Sequence, residues 1–457
     1  MTRPHNDLRT LATSAGVAFA LCVSACGSAT GTHTAPTAAS AKATQPVAAT
    51  GTAGPPASPR CAATVAGALG GVAARIYHVA ATSEDVAQAV NRVQSSPALV
   101  AAISDDDPSA ARAALRSLLL DQIVAIEVLR NGHPFATAGA GPAIAPVMGS
   151  IPGTDASFIL SVQSDRSYLQ VTRQVTGAQI LLFDREGHGS GGRTRGSTGG
   201  DHGSAGGTRS SAGASGARRL AGTFAGPPPA SVPSAGSLSY RGQSYEVVSL
   251  HGAVYPSGAL RIALLVPSSG ISCPRSMAQA RVETLGAVGK RIYEEELHSK
   301  VVSATLRLLE SSQSFKRAVA QESPSATRAA IVGFFRAHLH VVRVRVTIGG
   351  RLLVDVGGPY VLAPVHGTLR SGGRVIARFE MAIQDDAGYL KLAHLFMGAQ
   401  VLMRIGSQQV MGTLSPGPAS VPDHGHVSYE GRSYQAYSFT GEAFPSGPLR
   451  ISLLFDA

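Results

Sequence analysis

The chain contains one long stretch twice. "ASVPSAGSLSYRGQSYEVVSLHGAVYPSGALRIALLVP" at 230–267 aligns without a gap on "ASVPDHGHVSYEGRSYQAYSFTGEAFPSGPLRISLLFD" at 419–456, pairing Tyr240 with Tyr429 and Arg261 with Arg450. The correspondence continues upstream. "RIY" at 75–77 returns at 291–293, "DDDPSAARAAL" returns as "ESPSATRAAI", and "GPAIAPVMGSI" at 141–151 answers "GPYVLAPVHGTL" at 358–369. A repeat this long means that one folding unit occurs twice, so the element order of either copy must hold for both. The copies occupy 61–273 and 274–457, and the first carries a Gly/Ser-rich insertion at 184–222 that no packed core could include.

Each copy opens with apolar residues near helical spacing. In the second copy Val282, Leu285, Val288, Ile292, Leu306, Leu309 and Phe315 predict a long helix and a further helical run. Asp107 before Pro108, and Ser323 before Pro324, place a capping oxygen ahead of a proline suited to the first turn of a shorter helix. Then the period changes to two. "VVRVRVT" and "LLVDV" meet at Gly349-Gly350, and "VAIEVL" and "PFATA" meet at Asn131-Gly132, dipeptides that supply the positive φ of a tight hairpin. Further alternating runs complete a mainly antiparallel sheet, so the fold class is α+β.

The N-terminus reads as a leader. Arg3 and Arg9 precede an apolar run too short to span a bilayer, and Val23, Ser24, Ala25 and Cys26 resemble the lipobox of bacterial lipoproteins. On this reading residues 1–25 are removed, Cys26 carries lipid, and 26–60, rich in Ala, Thr, Gly, Ser and Pro, form a tether. The alternative is a plain signal peptide with an incidental cysteine. Losing Arg3, Arg9 and Asp7 takes the formal charge from +11 to about +10. Six of the arginines lie in the insertion, and with no Trp and no recognition motif a nucleic-acid partner is not expected. Of four cysteines, Cys22 leaves with the leader and Cys26 is acylated. Cys61 and Cys273 remain at the two edges of the first copy, where an oxidising compartment favours a disulfide; two free buried thiols are the alternative.

The stretches "VVRVRVTIGGRLLVDVGGPYVLAPVHG" and "IVAIEVLRNGHPFATAGAGPAIAPVMG", each behind a long and a shorter helix, resemble the extracytoplasmic PAS-like sensor domains called Cache or PDC domains. The resemblance covers both copies and implies two tandem PAS-like domains, each a long N-terminal helix with a five-stranded sheet and helices on one face. It also implies a small ligand, often a carboxylate or amino acid, between sheet and covering loops. Unlike most members, the sequence shows no second membrane span and no kinase, cyclase or methyl-accepting module. A sensor of this kind would therefore work through a membrane receptor or histidine-kinase partner.

Comparing the copies sorts fold from function. Arg343 and Arg345, two apart on a strand, share a face, and the first copy has Ala125 and Glu127 there. His366 corresponds to Met148, Tyr360 to Ala143 and Lys391 to Gln170; His338 and His340 have no basic counterpart either. The candidate ligand-binding set is thus Arg343, Arg345, His338, His340, Tyr360, His366 and Lys391, all particular to the second copy. Arg offers paired donors to a carboxylate. The same arginines could instead form the solvated face of a half-exposed strand, and Asp355 could be a salt-bridge partner or an ammonium acceptor.

No metal or other cofactor is expected. "HLH" at 338–340 and "DHGH" at 423–426 fix no third ligand by spacing, and "QDDAGY" has too few oxygens for a calcium loop; Asp385 and Asp386 are expected to cap the helix that follows. No G-x-S-x-G, H-E-x-x-H or phosphate loop occurs, so no catalytic residues are expected. Two functions remain: a ligand-binding sensor for a small anionic metabolite, or a cell-surface scaffold that binds another protein.

Overall fold

A computed structural model describes residues 58–119, 123–139, 141–185, 218–256, 258–271, 273–274, 276–338, 340–359, 362–383, 386–445 and 447–457. The lipobox Cys26, the tether up to residue 57, most of the insertion, and Tyr360 and Asp385 lie outside these.

The first copy begins with helices α1 (Pro59–Thr82), α2 (Glu84–Gln94), α3 (Pro97–Ser104) and α4 (Pro108–Leu118). Strands β1 (Ala125–Arg130), β2 (His133–Gly139), β3 (Ala143–Ile144), β4 (Val147–Ser150), β5 (Ala156–Ser161) and β6 (Gln163–Ser164) follow. Helix α5 (Asp165–Thr176) then leads to β7 (Gln179–Arg185), β8 (Arg218–Gly222), β9 (Ala235–Tyr240), β10 (Gln243–Val254) and β11 (Gly258–Pro267). The second copy repeats the plan. Helices α6 (Met277–His298), α7 (Lys300–Ser311), α8 (Gln313–Ala320) and α9 (Pro324–Ala337) precede β12 (Arg343–Ile348), β13 (Arg351–Gly357), β14 (Val365–Ser371) and β15 (Arg374–Ala382). Helix α10 (Asp386–Met397) leads to β16 (Gln400–Ile405), β17 (Gln408–Gly412), β18 (His424–Tyr429), β19 (Arg432–Glu442) and β20 (Pro448–Asp456).

Serines divide the helical runs. The apolar period from 277 to 320 breaks at Ser299, which ends α6 and caps α7 by accepting from the Val302 N–H at 3.2 Å, and at Ser312, which does the same for α8. Ser83 divides α1 from α2 in the same way. The proline-led starts are as expected: the Asp107 carboxylate accepts from the N–H groups of Ser109 and Ala110, and Ser323 accepts from that of Ala326. The hairpins also form, with Asn131, Gly132, Gly349 and Gly350 all at positive φ.

The fold is α+β, antiparallel and PAS-like, but each copy shares its strands between two sheets. The second copy has a four-stranded sheet in the order β13-β12-β15-β14 and a five-stranded one in the order β17-β16-β20-β19-β18. The first copy has β2-β1-β5-β4, and a larger sheet in which β9 pairs with β10, β10-β11-β7-β8 keep the same order, and the short β3 and β6 extend the edge. In each four-stranded sheet and in the five-stranded one the closing strand lies beside the first, with the opening hairpin at one edge, and in the largest sheet β11 lies likewise beside β7. A single five-stranded sheet per copy is what the resemblance to Cache domains implies, and each copy instead builds two sheets. Helix α10, twelve residues long, lies in sequence between the strands of the two sheets.

Helices cover one face of each four-stranded sheet. Val344, Val346, Phe379 and Met381 point toward α7, α8 and α9, where they meet Val302, Leu309, Phe315, Val319 and Ile331 in one buried cluster. Glycine makes that packing close: a Cβ at Gly367 would fall 2.2 Å from the Phe379 ring, and one at Gly149 2.4 Å from Phe158 in the first copy. The long helices α1 and α6 pack on each other and on the larger sheets. Tyr168 donates its hydroxyl to the Ala73 carbonyl at 3.1 Å, and Tyr389, its counterpart, donates to Gly289 at 3.0 Å, so even buried polar contacts are duplicated. Cys61 and Cys273 form a disulfide, with Cα atoms 6.0 Å apart. No described helix is long and apolar enough to cross a membrane.

Candidate functional site

The uncovered face of the β12–β15 sheet is polar and belongs to the second copy alone. Antiparallel pairing puts Arg345 between Asp355 on β13 and Glu380 on β15, while in the first copy Glu127 lies between Thr137 and Ile159. His366 on β14 stands opposite Glu380, where the first copy pairs Met148 with Ile159. Above this face is an open cavity of about 890 Å³ lined by Arg345, Thr347, His366, Thr368, Arg378 and Glu380, with Glu310 at its α7 side.

The two arginines share a face, as their spacing requires, yet have different partners. Arg343 places its fork on Asp355, with Nε 3.0 Å from Oδ1 and Nη2 2.7 Å from Oδ2, and its guanidinium carbon lies 4.3 Å from the centre of the buried Phe444 ring. Its side chain is 15% exposed, so Asp355 acts as a salt-bridge partner rather than an acceptor open to the cavity. Arg345 lines the cavity and makes no ion pair with another described residue. His366 Nε2 lies 2.9 Å from Glu442 Oε1 at the end of β19, joining the four-stranded sheet to the five-stranded one.

Glu380 is the residue the sequence reading overlooked. Its Oε2 is buried without a hydrogen-bond partner, and burial pushes its carboxyl up from the ordinary value; Glu442 and Asp355 push the same way, against the pull of His366 and Arg345. A carboxyl raised in the folded state favours folding below its ordinary value of 4.5, and that contribution is lost as pH rises through the folded value. Glu380→Gln is therefore expected to raise thermal stability at pH 7 and to leave it unchanged below pH 4.5, read by melting curves across pH. The signal was in "RVIARFEMAIQ". Comparing that strand with the first copy sets Glu380 against Ile159, the same test that singled out Arg345.

Other candidates lie elsewhere. His340 turns back to the helical layer, where its Nε2 is 2.9 Å from the Thr305 hydroxyl on α7, and His338 ends α9 with its ring 4.3 Å from that of Phe334. Burial, and then His338, hold the His340 pKa below the ordinary value. Lys391 is exposed on α10 and does not line the cavity. Of the eight candidates, Arg345 and His366 line the cavity, and Arg343 and Asp355 are paired beside it. Asp386 is buried and accepts from the Leu362 N–H at 2.9 Å, so it ties down the loop before β14 as well as beginning α10. Among the described residues no three His, Cys, Asp or Glu side chains are grouped to hold a metal.

No family model matches the chain, and no curated protein matches it. The solved structures to which it is similar include a periplasmic domain, a ligand-binding domain and a sensory domain. The Vibrio cholerae LuxQ periplasmic domain is 12% identical with a TM-score of 0.27, covering 38% of this chain and 98% of its own. The ligand-binding domain of Mlp24, solved with asparagine, is 11% identical with a TM-score of 0.22, covering 38% and 89%. The sensory domain of the Campylobacter jejuni chemoreceptor Tlp3, solved with isoleucine, is 8% identical with a TM-score of 0.20, covering 38% and 96%.

Proposed function

We propose that the protein is an extracytoplasmic ligand-binding sensor, tethered through a lipid on Cys26, whose second copy takes a small amino acid or carboxylate on the Arg345 face and acts through a separate membrane receptor or histidine kinase. The observation that carries this reading is Arg345 beside Glu380 on adjacent strands, both lining the cavity, where the first copy has Glu127 and Ile159. Scaffold side chains recur in both copies, whereas this pair does not. An amino acid fits better than a plain anion. Its carboxylate would take the Arg345 fork, and its ammonium would give the partnerless Glu380 oxygen a donor, while a dianion would meet Glu380 and Glu310 as repulsion. Sensor domains solved with asparagine and isoleucine agree with that ligand class.

A thermal-shift screen of residues 26–457 against amino acids and carboxylates tests this. A hit should weaken about 10- to 100-fold in Arg345→Ala, the loss expected for one charge-assisted hydrogen-bonded contact, and should be unchanged in Lys391→Ala. Glu380→Gln should weaken amino acids while strengthening dicarboxylates. A hit untouched by Arg345→Ala would remove the site. If the whole panel moves nothing, the scaffold reading replaces it, and capture of a membrane partner becomes the measurement.

A further inference from the structure

The two copies hold each other by reciprocal contacts. Arg291 on α6, in the second copy, donates to the Thr176 carbonyl at 2.8 Å, at the C-terminus of α5 in the first. Arg75, at the equivalent place on α1, lies over Gly398, the residue after α10 in the second copy; a Cβ at Gly398 would fall 2.9 Å from its guanidinium. Both helices end in a glycine at left-handed φ, Gly177 at 71° and Gly398 at 70°, where an arginine of the other copy lies close, and the Thr176 carbonyl accepts from Arg291. With α1 and α6 packed between them, the copies meet as the subunits of a two-fold dimer would, each giving what it receives.

In the second copy a histidine–carboxylate contact reaches this spine. The Glu442 side chain holds His366 at the edge of the polar face, and its backbone N–H donates to Tyr293 Oη at 2.7 Å. Tyr293 is on α6, two residues from Arg291. In the first copy the Ala253 N–H donates to Tyr77 Oη at 2.6 Å, but Ala253 and Met148 occupy the places of Glu442 and His366.

We infer that the chain is a single-chain pseudo-dimer in which α6 couples the second copy's polar face to the first copy, while the first copy's own face, with Met148 and Ala253, has no matching link to the second among the described residues. The route runs from His366 through Glu442 to Tyr293 by contacts, along the α6 backbone to Arg291, and from Arg291 to the end of α5. The inference concerns regulation of the proposed ligand face but needs no ligand for its test.

Hydrogen exchange of the disulfide-intact protein, read by mass spectrometry, tests it. Arg291→Ala sets the response of residues 173–178 to direct loss of the contact. Tyr293→Phe, and to a smaller extent His366→Ala, should speed exchange at 173–178 at least twofold, while Met148→Ala leaves residues 394–399 unchanged. Changes from Tyr293→Phe and His366→Ala that stay within 277–457 would overturn the coupling. An equal response of 394–399 to Met148→Ala would overturn the asymmetry between the copies. Neither result depends on whether an amino acid binds.

Discussion

Reducing the Cys61–Cys273 disulfide, or replacing both cysteines by serine, should lower unfolding free energy by about 3–5 kcal/mol. The link closes a loop with a sequence separation of 212 residues, for which the chain-entropy model gives a ceiling of about 5 kcal/mol. It joins the first turn of α1 to the segment before α6, and Cys61 is fully buried. Packing of α1 on α6 partly holds the same ends together, which places the expected effect below the ceiling. Urea titration with and without reductant measures it. An unchanged midpoint would mean that helix packing alone fixes the two copies.

Phe379→Ala should cost about 3–5 kcal/mol, the range for removing a buried aromatic side chain. The ring is 2% exposed, packs edge-on against Phe315 with centroids 6.0 Å apart, and fills the space left by Gly367. It lies between Arg378 and Glu380 on β15 and points to the opposite face, so the same strand that carries the polar face is fixed from behind by this ring. Phe158→Ala in the first copy should cost about as much, because Phe158 is fully buried beneath Gly149. Their functional effects should differ: calorimetry should show ligand affinity lost in Phe379→Ala and kept in Phe158→Ala. Equal loss in both would mean that ligand binding needs the whole pseudo-dimer.

The misplacement of His338 and His340 shows where local reading ends. Their i, i+2 spacing beside Arg343 is compatible with one basic cluster, but the chain leaves α9 after Ala337, and His340 finds the Thr305 hydroxyl on a helix 35 residues earlier in sequence. Alternation told which side chains of a strand travel together, so Arg343 and Arg345 share a face as expected. It carried no information on which strand lies alongside. Asp355 and Glu380 flank Arg345 only through pairing, and Asp355 turns diagonally to the Arg343 fork, which leaves Arg345 at the cavity.

By itself the sequence determined the duplication, the α+β class, the capped helix starts and the glycine hairpins, because each rests on periodicity, local backbone chemistry or comparison of one copy with the other; the pairing of Cys61 with Cys273 it left open. Only the tertiary structure decided that each copy builds two sheets, that the copies exchange arginine contacts across α1 and α6, and that Glu380 stands beside Arg345. Those features depend on contacts between residues far apart in the chain, and their energies come from burial and charge environments that no local window of sequence contains.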